Sequence, residues 1–338
     1  MITTTINSKV LISGAVILAA AALIIGATFA FFSDTETSQD NVLAAGALDL
    51  KIDSEAHYAG LVCQDNTPDQ VDNPIWVDDN PSSTTRPELV EKPCVGTWVL
   101  KDLVEGDKFF YIEDLKPGDE GENTISMHVF NNDAWGRIRV FNIVDADVNC
   151  TEPESDATDP ECNVVPTPLP SPDVDGELSE NLDFFLWLDQ GNVPGFQCFQ
   201  TCDDPMEGDN IFNGIETVTQ ADVIGQDESG ITLTLAPALA EAYNEDCLAI
   251  GPTPTPAPAD GHNNYGICHG LASDGRLVGS ATYYIGVAWC LGEATQNGCD
   301  GSGVGNEVQT DSVSADIAFD IVQHSNNPTP PVFPTIAP

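Results

Sequence analysis

Positive charge is the scarcest property of this chain. Ten lysines and arginines stand against 54 acids, for a formal charge of −44. A surface of that sign repels phosphate, which excludes nucleic acid as a partner. Histidine is scarce too, and His57, His128, His262, His269 and His324 are scattered. None falls in an H-E-x-x-H, the spacing that sets two histidines on one helix face around zinc with a glutamate base. There is no C-x-x-C to suggest structural zinc, and no G-x-S-x-G, phosphate loop or dinucleotide fingerprint. No catalytic residue is assigned, no cofactor is required, and the chain is not read as an enzyme. Helical periodicity is confined to Ala236–Asp246. After Ala30 no apolar run approaches the ~20 residues needed to cross a bilayer.

What is present begins with a leader. Lys9 precedes an apolar run, Val10 to Ala30, that closes on the small residues Thr28 and Ala30. Basic start, apolar middle and small-residue exit describe a signal peptide over residues 1–30, cut between Ala30 and Phe31. The alternative is a retained anchor, in which the uncleaved leader is the only contact with a membrane. Cleavage would leave 308 residues with nine cations against 54 acids, a charge of −45. Such a chain repels itself at low salt, and screening to about 3 Å at 1 M relieves it, so a saline or calcium-containing exterior suits it. All ten cysteines follow Ala30, and an even count in an exported chain reads as disulfides. Spacing does not fix connectivity. Sequential pairing is the simplest: Cys63–Cys94, Cys150–Cys162, Cys198–Cys202, Cys247–Cys268 and Cys290–Cys299.

The body of the chain alternates. Leu48, Leu50 and Ile52 interleave with Asp49, Lys51 and Asp53, the period of a half-buried strand. Further strands are expected over Lys108–Ile112, Glu122–Asn131, Trp135–Val144, Leu182–Leu188, Ile231–Leu235, Ala281–Trp289 and Val308–Val322. Leu115-Lys-Pro-Gly-Asp119 is a turn by its Pro-Gly pair. Short strands with long polar connections predict an all-β protein, an antiparallel jelly-roll-like β-sandwich preceded by the signal helix. One domain over 46–325 accommodates polar insertions at 64–93, 151–176 and 251–259, rich in Pro, Asp, Thr or Asn. The tail, 326–338, is Pro-rich and expected to be a disordered spacer. It carries no LPxTG, basic end or apolar run of a wall-sorting signal.

Several blocks carry a resemblance. ATFAFFSDTETS runs into AAGALDLKID at the junction. LKPGDEGENTISMHVFNNDAWGRIRV, LSENLDFFLWLDQ and VGNEVQTDSVSADIAFDIVQ follow in order. These blocks resemble the TasA and camelysin family, covering about a third of the chain. The resemblance implies export with a SipW-type signal peptide, and a SipW-type signal peptidase as partner. It also implies a jelly-roll-like fold and a place outside the cell or at its surface. In fibre-forming relatives the segment after the cut completes the sheet of the next subunit. Here residues 31–45 would be that segment, Phe31 and Phe32 its anchors, and the partner a second copy of the chain, in a biofilm-matrix fibre or pilus. Two other readings stay open: a camelysin-like metallopeptidase, and a surface adhesin or coat protein that does not polymerise. Ten cysteines, proline-rich insertions and this acidity depart from better-known bacterial members.

Calcium is the one metal that the loops suggest. Asp173, Asp175 and Glu177, and separately Asp203, Asp204, Glu207 and Asp209, bring hard oxygen donors close in sequence. Neither group completes a twelve-residue EF-hand loop, and solvated acidic loops are the simpler explanation.

Overall fold

Strand β2 (Asp49–Tyr58) sets the pattern of the molecule: Leu50, Ile52, Ser54, Ala56 and Tyr58 point inward and the residues between them outward. In the computed structural model the residues described are 33–35, 48–64, 73–78, 85–147, 176–193, 195–196, 204, 206–212, 218–221, 231–247, 268–295 and 298–331. The leader, the cleavage position at Ala30 and Phe31, and Phe32 lie outside them. So do Cys150, Cys162, Cys198, Cys202 and the insertion 251–259. Apart from Ser33, the described residues fall in one unit, Asp34–Pro338.

That unit is built from antiparallel sheets. The larger sheet runs β4 (Ile75–Val77), β3 (Leu61–Gln64), β2, β6 (Glu120–Phe130), β11 (Thr282–Leu291), β8 (Leu182–Leu188), β9 (Val218–Ala221), with β5 (Trp98–Lys101) also pairing on β2. The second runs β1 (Ser33–Thr35), β14 (Asp311–Gln323), β7 (Ala134–Asp147), β10 (Ile231–Thr234). A small ribbon joins β12 (Glu293–Thr295) to β13 (Gly298–Asp300). Leu50, Ile52, Ile125, Met127 and Val129 from the larger sheet meet Ile138, Phe319 and Ile321 from the second in one buried cluster, the core of an all-β sandwich. A helix, α1 (Leu235–Ala242), buries Leu235, Ala238 and Leu239 in the same cluster.

Two glycines are placed by tryptophans. Gly286 stands opposite Trp187 and Gly121 opposite Trp289 in the ladders. A Cβ at Gly286 would come within 2.1 Å of the Trp187 ring, and one at Gly121 within 2.7 Å of the Trp289 ring. The missing side chains let two indoles lie flat across the central strands.

Several expectations meet differences. Lys108–Ile112 is not a strand: Phe109 turns inward, and its carbonyl accepts from Asn123 Nδ2 instead of a ladder partner. Leu235 begins α1 rather than ending β10. The stretch read as the insertion 64–93 contributes β4 and buries Trp76 and Arg86. Arg86 is held there by Glu88, Asp119 and the Tyr58 hydroxyl. Disulfides join Cys63 to Cys94, Cys247 to Cys268 and Cys290 to Cys299. The first sits in a second buried cluster with Tyr58, Trp76 and Trp289.

Candidate functional site

Of the acids singled out in sequence, Glu177 is the one that the fold brings into a convergent group. Asp173, Asp175 and Asp203 lie outside the described residues. The end of β7 supplies Asp147, the start of β14 supplies Asp311 directly opposite it, and the chain entering β8 supplies Glu177. One carboxylate oxygen from each lies within 4.8 Å of the other two. Local bonds fix the arrangement: the Glu177 backbone N–H donates to Asp311 Oδ2 at 2.8 Å, and Ser179 N–H donates to Asp145 Oδ2 at 2.8 Å. Gly176 packs against Asp145 so closely that a Cβ there would be 2.8 Å from Oδ1. Asp147 is buried, at 1% exposure.

The electrostatics follow from burial among like charges. Desolvation, with a hydrogen bond to Asp147 and the charges of Asp147 and Glu177, pushes the Asp311 carboxyl up to about 9 from 3.8. Hard oxygen donors at this separation can take a proton or a hard divalent cation such as calcium. For the metal-free protein the sign is definite. The folded state keeps a proton that the unfolded chain releases near 3.8, so between that value and about 9 the native state binds more protons and stability falls as pH rises. Chemical denaturation with chelator at pH 5 and pH 8 is expected to show this loss, and Asp311→Asn to reduce it. A wild-type curve that rises over that window, with the same rise in the variant, would contradict the assignment.

Asp204, Glu207 and Asp209 do not join such a group among the described residues. Asp204 is buried because its carboxylate ties backbone: Oδ2 accepts from Val193 N–H at 2.7 Å and Oδ1 from Met206 N–H at 3.1 Å. Asp189 does the same for Gly208 and Asn210. Asp209 accepts from Ile211 N–H, and burial raises its pKa. The signal that sequence reading missed is Asp147 with Asp311. They sit at strand ends far apart in the chain, where no spacing connects them to Glu177.

The histidines serve separate contacts. His128 Nε2 is 2.8 Å from Asp53 Oδ2 across β2 and β6, and its Nδ1 is 3.0 Å from Thr282 Oγ1. His57 lies 3.2 Å from Glu55. His269 Nδ1 meets the Phe196 carbonyl and His324 meets Asp274. His262 is outside the described residues.

At the other edge of interest, β1 (Ser33–Thr35) is the outermost strand of the second sheet, beside β14. It is three residues long against thirteen in β14. Over residues 5–59, spanning the apolar leader, this strand and β2, the chain matches a family model described as camelysin metallo-endopeptidase. The chain is thus similar to the TasA/camelysin family through its junction, where the residue blocks first pointed. No curated protein matches the chain.

Proposed function

We propose that the chain is a structural protein, exported by cleavage after Ala30, that assembles into extracellular fibres by donating the segment after the cut to a neighbouring subunit. The observation that carries this reading is the position of Ser33–Thr35 at the edge of a sheet, beside a strand four times its length. Strand addition at an edge gains affinity from main-chain hydrogen bonds and specificity from alternate side chains. Exchanging an identical element between copies asks for no new surface. The antiparallel sandwich and its disulfides suit a module that persists outside the cell. Partners are then a second copy and a SipW-type signal peptidase, and the site of action is the cell surface or matrix.

The family match brings a metallopeptidase reading with it. The matched stretch contains one histidine, His57, engaged with Glu55, and a two-histidine zinc set cannot be drawn from it. The structural reading is better supported for that reason.

The test uses the secreted chain. N-terminal sequencing is expected to begin at Phe31. Negative-stain microscopy is expected to show filaments from that protein, and folded monomers from a version lacking Phe31–Ser38. Normal filaments from the truncated protein would overturn the proposal.

A further inference from the structure

The proline-rich stretches set apart by composition share a unit. Pro166-Thr167-Pro168, Pro252-Thr253-Pro254-Thr255-Pro256 and Pro328-Thr329-Pro330 each place threonine between prolines. Each lies in a run without a charged side chain, although the chain carries 54 acids. The last run, 325–338, also holds Val332, Phe333 and Ile336. Net charge keeps so acidic a chain dispersed, and these runs contribute none of it. The third triplet falls within the described residues, and Thr329 is exposed there together with Pro328 and Pro330.

The fold presents that threonine at a fixed point. β14 ends at Gln323, and a single turn, His324–Asn326, follows it. The chain is then pinned at Asn327. The Asn327 carbonyl accepts from Trp135 Nε1 at 2.6 Å, its N–H donates to the His324 carbonyl at 2.8 Å, and its Nδ2 donates to the Gln323 carbonyl at 3.0 Å. Thr329 is the second residue beyond the pin. Pro328 has its own φ fixed, and Pro330 disfavours helical geometry at the residue before it. Thr329 is thereby kept out of a helix and open to solvent.

We propose that Thr329 is an O-glycosylation site and carries a neutral saccharide on Oγ1. Threonine set among prolines in exposed, uncharged chain is the composition of O-glycosylated stalks. A saccharide is bulky and solubilising, so it hydrates the apolar end of the run without adding charge. Phosphate on the same hydroxyl would add about −1.5 to −2 to a molecule already at −44, and residues 325–338 offer no lysine or arginine to pair with it. The co-reactant is a phosphate-activated sugar. Oγ1 bonds to the anomeric carbon, the bond from that carbon to phosphate breaks, and the phosphate leaves with the electron pair. The hydroxyl proton passes to a base of the transferase. The modification is independent of whether copies assemble into fibres and goes beyond that reading.

The test is mass spectrometry of the full chain isolated from the cells that make it. Cleavage after Glu307, with fragmentation of the peptide that follows, is expected to place one or more monosaccharides on Thr329, released by mild alkali. Thr329→Ser is expected to retain the added mass and Thr329→Ala to lose it. Thr329 is exposed and belongs to none of the buried clusters, so both variants fold, which circular dichroism checks. An unmodified wild-type peptide would overturn the site. So would a phosphate at Thr329, a saccharide confined to Thr335, or added mass that Thr329→Ala leaves unchanged.

Discussion

Asp320→Ala is expected to destabilise the fold by about 3–5 kcal/mol, the range for breaking a buried ion pair on one side. Asp320 lies in β14 at 4% exposure and faces Arg137 directly across the ladder. Its Oδ2 accepts from Arg137 Nε and from Arg139 Nε, each at 2.7 Å. Two of the chain's ten cations therefore converge on one carboxylate at the centre of the second sheet. Alanine would leave two guanidinium groups with little water to replace what they lost. Removing the charges together, by Arg137→Met and Arg139→Met with Asp320→Leu, is expected to cost much less than Asp320→Ala alone, because no ion of the cluster is left behind. The loss should also persist in molar salt, since buried pairs are weakly screened. Denaturant unfolding of the three proteins at low and high salt measures this. A loss below about 1 kcal/mol for Asp320→Ala would place the pair among surface ion pairs of little weight.

The ladder around Asp320 shows what was legible in the sequence. β6, β7, β8, β11 and β14 were all expected within a few residues of where they lie, and β2 over its first half as far as Asp53, because their alternation or continuous apolar runs are long. β3, β4 and β5 were not. At three or four residues each, Leu61–Gln64, Ile75–Val77 and Trp98–Lys101 are too short for a period to register. Lys108–Ile112 misled for the converse reason: Phe109 and Phe110 gave it the composition of a strand, yet tertiary packing spends them on the two buried clusters. Arg137 was legible as a strand residue but not as a buried one, since its burial depends on Asp320, 183 positions away. The carboxylate group behaves alike. Glu177 could be picked out in its loop. Asp147 and Asp311 could not, because among 54 acids nothing local marks the pair that the β7–β14 register places opposite each other.

Loss of the Cys63–Cys94 disulfide is the other large effect. The bridge spans 31 residues, and restriction of the unfolded chain over such a loop is worth about 3.5–4 kcal/mol. The Cys290–Cys299 bridge spans 9 and by the same relation is worth about 1 kcal/mol less. Burial widens the gap. Cys63 is fully buried and Cys94 nearly so, against Tyr58, Trp76 and Trp289, so replacement by alanine also removes sulfur atoms from a packed cluster. The bridge ties β3 to the chain that follows β4, and the segment between them carries Arg86 to its partners Asp119 and Tyr58. Cys63→Ala with Cys94→Ala is therefore expected to loosen that whole edge of the larger sheet, whereas Cys290→Ala with Cys299→Ala leaves it in place. Unfolding free energies of the two double variants, with hydrogen exchange on β3 and β4, distinguish the cases. Equal losses from the two, with unchanged protection at Trp76, would mean that hydrogen bonds such as Trp76 N–H to the Lys92 carbonyl hold the edge without the bridge.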